Sequence, residues 1–427
     1  MLNIFHRSLT IMTSRLPLVI ILGATGSGKT KLSLELAKRF SGEIIGADSI
    51  QVYKALDIIS AKATETERSL APHHLIDILE PHEIFTVIEY RNRALSLINN
   101  IQEKNKLPIV VGGTNYYIES ILWKILVENE CGLVEKIGVL PNNEHQLPSE
   151  ELHKRLSHID PDMARRLHPN NKRKILRSLE IFYQKGRKHS DILNEQHSSD
   201  NASGSDGGLR FLNSLVLWLQ CDQDILDKRL DERVDNMLEQ GLLQELIAFH
   251  KLYNEKRIHD NESPDYTKGI FQSIGFKEFH AYLVLDEEER ASDEGKKKLE
   301  EGISLLKMAT KRYARKQKKW IVNRFLGRSD RKVPPVYGLD TTDVSQWNEN
   351  VTKVAEEIVE SYVSKTKCNH NSLPVRSVNS TPNSADFTYI CEVCDRVFVG
   401  DLQWTLHRKS NRHKRALESR HKKLKKS

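Results

Sequence analysis

Gly23, Ala24, Thr25, Gly26, Ser27, Gly28, Lys29 and Thr30 form GATGSGKT, a match to GxxxxGK[ST] between an apolar run and a helical pattern. Such a loop wraps its amides around a phosphate or diphosphate. The helix N-terminus adds positive potential, Lys29 a point charge, and Thr30 a hydroxyl that can ligate magnesium. Asp48, in ADSIQVY, ends the next apolar run and faces the same crevice. It reads equally as a base that takes a proton from a nucleophile and as an ordinary helix cap.

Where a nucleotide hydrolase carries a magnesium-binding aspartate, Ile109, Val110 and Val111 run instead into Gly112, Gly113 and Thr114. The glycines permit close backbone approach of a bound group, or form a simple tight turn. Arg229 and Arg233 lie four apart and share one helix face. They can neutralise a departing diphosphate, although the interleaved Asp227, Asp231, Glu232 and Asp235 fit a solvated, salt-bridged helix equally well.

Two residues separate Cys391 from Cys394, twelve separate Cys394 from His407, and five separate His407 from His413. This is Cys2His2 zinc spacing, with Phe398 and Trp404 at interior positions, and it predicts a closed structural site. Ten basic residues and one acid lie between Gln403 and Ser427, so the net charge of +7 belongs to that tail. Two further basic clusters, Arg165–Arg177 and Lys311–Lys319, fit contact with a polyanion, the second more strongly.

The elements that must hold these groups follow an α/β pattern. Leu18–Leu22, Glu43–Ala47, Ile109–Val111, Ser214–Leu219 and Val336–Gly338 read as strands, and helical stretches alternate with them. The expected fold is a P-loop, doubly wound parallel sheet with a helical insertion and a C-terminal Cys2His2 zinc finger. The boundaries read as an extension at 1–15, a first core segment at 16–125, and the insertion at 126–210. A second core segment at 211–363, a polar linker at 364–385, and finger with basic tail at 386–427 complete the chain.

The longest apolar run, Leu16–Leu22, contains Pro17 and is too short to span a bilayer, so no membrane is expected. Five cysteines, scattered except for the pair Cys391 and Cys394, argue against a disulfide framework and for a reducing compartment. The first fifteen residues hold Arg7 and Arg15, several hydroxyls and no acid. They resemble a mitochondrial leader, and Met12 offers a second start that removes most of it; a plain N-terminal extension is the alternative. Cytoplasm and mitochondrion are the expected locations, with a nuclear address also legible in the tail.

Together, GATGSGKT, ADSIQVYKALDI, VVGGTNYY, HPNNKRKILRSLEIF, RLDERVDNMLEQGLLQE, SIGFKEF and ATKRYARKQKKWI resemble the tRNA dimethylallyltransferase family in its eukaryotic, zinc-finger form. The resemblance implies transfer of a dimethylallyl group from dimethylallyl diphosphate to the exocyclic amine of the adenosine 3′ of a tRNA anticodon. It implies Asp48 as general base, Thr30 and Arg233 as diphosphate-stabilising groups, and magnesium at the diphosphate. The implied tRNA contacts are Asp48, Ser49, Ile50, Gln51, Thr114, Arg173, Lys174, Ile175, Leu176, Arg177, Gln272, Ser273, Ile274, Gly275, Phe276 and Lys277.

The base must then flip out of the anticodon loop into the core, and the helical insertion must clasp the anticodon arm. A monomer is expected. The segments Glu128–Gln146 and Ser198–Gly208 fit no part of the resemblance. Three rival readings remain at this point. The chain could be a P-loop kinase of a small hydroxyl metabolite or nucleoside, a prenyltransferase of free adenine nucleotide, or an RNA-binding protein with a degenerate loop. Each leaves a motif unused.

Overall fold

A computed structural model describes residues 15–124, 144, 146–193, 195, 208–253, 266, 269–327, 332–375, 388–394, 396–399 and 401–424. The leader-like residues 1–14 and nearly all of the unmatched segments 128–146 and 198–208 lie outside these. The chain divides into two compact units, one of residues 1–126 with 208–377 and one of 127–207 with 378–427.

In the first unit β1 (Leu18–Gly23), β2 (Glu43–Gly46), β3 (His73–His74), β4 (Pro108–Val111), β5 (Ser214–Gln220) and β6 (Val336–Asp340) form one sheet. Its order is β3-β2-β4-β1-β5-β6 and every pairing is parallel. The sequence pattern finds five of the six strands. It misses β3, whose two residues carry no periodicity.

Alternation along β1 divides its side chains between two cores. Leu18, Ile20 and Leu22 join Tyr90, Ala94, Ile98, Ile118 and Ile121 on one face, while Val19 and Ile21 join Leu32, Leu36, Ile358 and Val359 on the other. Because helices cover both faces, the strand reads as a continuous apolar run. Burying each such side chain contributes roughly 1.5–3 kcal/mol. A third apolar cluster, including Phe249, Phe276, Phe279 and Leu306, packs the helices Leu242–Tyr253 and Asp293–Ile321 beyond the sheet's carboxyl edge.

The helix Gln223–Glu239 is tied to the helix Asp293–Ile321 by a ladder of charges. Lys307 pairs with Asp235 at 2.6 Å, Lys311 with Asp231 at 2.6 Å, and Arg315 with Asp227. The acids of the first helix are salt-bridged, as one of its two readings had it, and one expectation is corrected: Lys311 and Arg315 are engaged within the protein. Among the described residues Arg312, Lys316, Lys318 and Lys319 stay exposed and without an ion-pair partner.

In the second unit the helices Ser149–Ile159, Pro161–Arg166 and Lys172–Lys185 close around Leu152, Leu156, Met163, Leu167, Ile175 and Leu179. The buried Asp160 caps the second helix through Met163 N at 3.0 Å and accepts from Ser190 N at 2.9 Å. The finger has an antiparallel pair, β7 (Thr388–Cys391) and β8 (Arg396–Val399), followed by the helices Asp401–Lys409 and Asn411–Leu424. No helix among the described residues is long and apolar enough to cross a membrane.

Candidate active site and candidate metal centre

The phosphate loop joins β1 to the helix Lys29–Phe40, which starts at Gly28 with no side-chain cap. Its first-turn amides are therefore open to an anionic ligand. Gly28 has φ 92°, and a Cβ there would come within 2.5 Å of the Trp347 ring, so glycine alone fits both the backbone and the packing. The buried Ser27 hydroxyl has no hydrogen-bond partner among the described residues. Thr30 is exposed and faces the same cavity, of about 460 Å³, as Lys29, Asp48, Gly112 and Gly113.

Lys29 donates to the carbonyls of Gly23 at 3.1 Å and Ala24 at 2.8 Å. Burial and the nearby Arg233 pull its pKa down to about 8, against the opposing influence of Asp48. No helix directly follows Asp48, so it does not act as the helix cap that the sequence allowed; it holds a turn. Its Oδ1 accepts from Ile50 N at 2.9 Å and Gln51 N at 3.5 Å, which fixes the turn after β2. Burial raises its pKa, while those amides, Lys29 and Arg233 pull it back.

The arginine pair separates. Arg229 donates to the carbonyls of Thr341 at 2.7 Å and Thr342 at 2.6 Å, so it secures the turn after β6. Arg233 has no hydrogen bond or ion pair among the described residues and lines the cavities with Asp48. Burial lowers its pKa, and the Asp48 carboxylate opposes that.

A second cavity, of about 600 Å³, has largely apolar and aromatic walls including Tyr53, Phe85, Tyr117, Val234, Leu306 and Tyr313. Thr25, Asp48, Arg233 and Tyr313 line both cavities, so the two meet at Asp48. Burial raises the phenols of Tyr117 and Tyr313 well above the usual range, so both are neutral donors near pH 7.

Several residues singled out in the sequence converge here. Thr114 Oγ1 accepts from Ser49 N at 3.0 Å, and Ile50, Gln272, Ser273 and Ile274 line the aromatic cavity. Others are committed to structure. Gln51 donates to Ser60 O and Ala61 O, Phe276 is fully buried against Phe249, and a Cβ on Gly275 would come within 2.3 Å of Ile59. Lys277 is exposed beside Glu278. In the insertion Arg173 and Lys174 are exposed, Leu176 and Arg177 are half-buried, with Arg177 near Glu180 at 3.4 Å, and Ile175 belongs to the core.

The close approach that Gly112 and Gly113 allow is largely to the protein itself. A Cβ on Gly112 would lie 2.1 Å from Ala47 O, and one on Gly113 would lie 2.4 Å from Gln317 Nε2. The sequence reading missed Gln317 and Tyr313, which stand inside a run of cations that reads as an RNA-facing surface.

At the finger, the ligand atoms of Cys391, Cys394, His407 and His413 all lie within 4.8 Å of one another. Both sulfurs sit 3.5 Å from His413 Nδ1. Tetrahedral zinc, with bonds of about 2.3 Å to sulfur and 2.0–2.1 Å to nitrogen, requires sulfur–nitrogen separations of about 3.5 Å. The buried His407 Nε2 has no hydrogen-bond partner among the described residues, as expected of a nitrogen reserved for a metal. Phe398 stacks on His407 at 4.0 Å and Tyr389 on Trp404 at 5.3 Å, forming the small core around the site.

Residues 51–324 match the IPP transferase family. The chain belongs to that family. Residues 388–414 match a second family, described as a zinc-finger double-stranded RNA-binding domain. The IPP transferase relatives include the mouse tRNA dimethylallyltransferase, 48% identical over 95% of this chain and 86% of its own length. The human tRNA dimethylallyltransferase is 47% identical over the same shares. A solved eukaryotic dimethylallyltransferase acting on tRNA superposes with a TM-score of 0.77 at 30% identity, covering 96% of this chain and 98% of that one. Gly23–Thr30 and the finger lie outside the IPP transferase match, so the phosphate loop rests on its own geometry and on these longer alignments.

Proposed function

We propose that this chain transfers the dimethylallyl group of dimethylallyl diphosphate to the exocyclic amine of the adenosine that follows the anticodon of a tRNA. The observation that carries the reading is the meeting of a polar phosphate-loop cavity and an aromatic cavity at Asp48. The former suits a diphosphate, and the latter suits an allyl tail and a flipped adenine. The mouse and human relatives, which are tRNA dimethylallyltransferases, support it.

In this mechanism Lys29 and the open amides at the start of the helix Lys29–Phe40 hold the diphosphate, and Arg233 meets the charge that develops as it leaves. The bond between the allylic carbon and the diphosphate oxygen breaks with its electron pair on oxygen. The adenine nitrogen bonds to that carbon, and its proton passes to the Asp48 carboxylate. Magnesium fits the hard-oxygen chemistry of the Thr30 hydroxyl and the diphosphate itself, and it would supply charge neutralisation.

Ser49, Ile50, Gln272, Ser273 and Ile274 border the acceptor base, and Arg173, Lys174 and Arg177 contact the anticodon arm. Zinc held by Cys391, Cys394, His407 and His413 stabilises a finger that grips a base-paired part of the tRNA. A monomer is the proposed working unit, a reading supported by one copy supplying the residues that line both cavities.

The test is incubation of purified protein with labelled dimethylallyl diphosphate and unmodified tRNA, with ATP replacing the donor as a control. Label in the RNA supports the reading. Tight ATP uptake at the loop, with no transfer of the five-carbon group, refutes it and favours a kinase.

A further inference from the structure

Gln317 joins the two halves of the site. The residue is buried, 4% exposed. Oε1 accepts from Thr25 N in the phosphate loop at 2.9 Å, and Nε2 donates to Gly113 O at 3.0 Å. The partners fix the amide's orientation, since a backbone N–H needs an acceptor and a carbonyl a donor. Gly113 precedes Thr114, whose hydroxyl holds Ser49 beside Asp48.

The contact is built from several sides. A side chain on Gly113 would displace the amide, Asn115 Nδ2 donates to Gln317 O at 3.4 Å, and Tyr313, one turn earlier, donates to the same Gly113 carbonyl at 3.3 Å. Thr25 and Gln317 are far apart in sequence and lie on different elements, so no local turn makes this bond redundant. Only a side chain with one acceptor and one donor at this reach completes it.

We propose that Gln317 is a positioning residue for prenyl transfer, setting the spacing between the donor's phosphate cradle and the Gly113–Ser49 acceptor loop. The inference rests on the function proposed above. Fixing two reactants in a near-attack geometry is worth a large rate factor, and the loss appears in turnover when the spacing slackens. Gln317 borders the phosphate-loop cavity, but both polar atoms of its amide are engaged by Thr25 N and Gly113 O, so it acts through those groups.

Two variants test it, each assayed for single-turnover transfer from labelled dimethylallyl diphosphate to unmodified tRNA at saturating concentrations. Gln317→Met keeps the volume and removes both bonds, and its rate falls about ten- to a hundred-fold. Gln317→Glu is impaired at pH 8, where an ionised carboxylate offers Gly113 O a second acceptor. It recovers relative to wild type as the pH falls toward 6, because burial raises the carboxyl's pKa and the neutral acid restores one acceptor and one donor.

An active wild type with an unchanged rate in Gln317→Met overturns the inference, as does a lowered melting temperature with unimpaired transfer. If Gln317→Met fails to fold, the Gln317→Glu variant decides: a flat activity ratio to wild type between pH 8 and 6 overturns the inference. A wild type that transfers no label overturns the inference together with the functional reading, and so is distinct from the earlier results.

Discussion

The ammonium of Lys29 lies 2.8 Å from the carbonyl oxygen of Ala24, folded back onto the loop that it serves. A diphosphate competes with that carbonyl for it, and with a pKa of about 8 the ammonium loses half its charge near pH 8. A lysine is charged below its pKa, so affinity for the donor is full well below pH 8 and declines as the pH rises through about 8. The rising limb belongs to Asp48, which must be ionised to accept a proton and whose pKa is raised by burial. The profile of kcat/KM for the donor is therefore expected to be bell-shaped, and inhibition by inorganic diphosphate should lose the alkaline limb in Lys29→Met. A profile that is flat through pH 9 contradicts this.

Asp48 both fixes a turn and faces the reaction, and the amide variant separates the roles. Asp48→Asn retains an oxygen for Ile50 N and loses the basicity. Turnover should drop about 10²- to 10⁴-fold, while inorganic diphosphate binding and thermal stability stay near wild type. A comparable loss of stability would reassign the residue to the turn.

Arg229 and Arg233 should give opposite phenotypes. Removing Arg229 leaves the Thr341 and Thr342 carbonyls without their charged donor, so Arg229→Ala should cost about 2–3 kcal/mol in urea unfolding and spare the specific activity of the folded fraction. Arg233→Ala should leave unfolding almost unchanged and weaken both turnover and inhibition by inorganic diphosphate.

Loss of zinc should be felt in RNA binding and not in the chemical step. Cys391→Ser removes one of four ligands from a site whose surrounding core is a few rings, so the finger should unfold locally. tRNA affinity is expected to fall and its salt dependence to flatten, with the single-turnover rate at saturating tRNA preserved. Near-ultraviolet circular dichroism and filter binding across a salt series would measure both.

What was legible beforehand follows the range of the interactions concerned. The phosphate loop, the apolar strands and the zinc spacing are local patterns, and each appears in the structure where the residues predicted it. Gln317 and Tyr313 were hidden because their partner, Gly113, lies some two hundred residues away and their neighbours are cations. The same cations misled about charge, since the acids that pair with Lys311 and Arg315 stand on another helix. Arg229 and Arg233 are equivalent by spacing, and only the carbonyls after β6 distinguish them.

Trp123 pairs antiparallel with Leu209, Lys124 N donates to Gly208 O at 3.1 Å, and Arg210 N to Leu122 O at 2.7 Å. The polypeptide thus leaves the sheet-bearing unit and comes back to it side by side, as at the base of a hairpin. Grafting, trimming or exchanging what hangs from that stem alters chain length at one doorway only, so evolution and the protein engineer alike can revise the appendage while the reaction chamber keeps its frame.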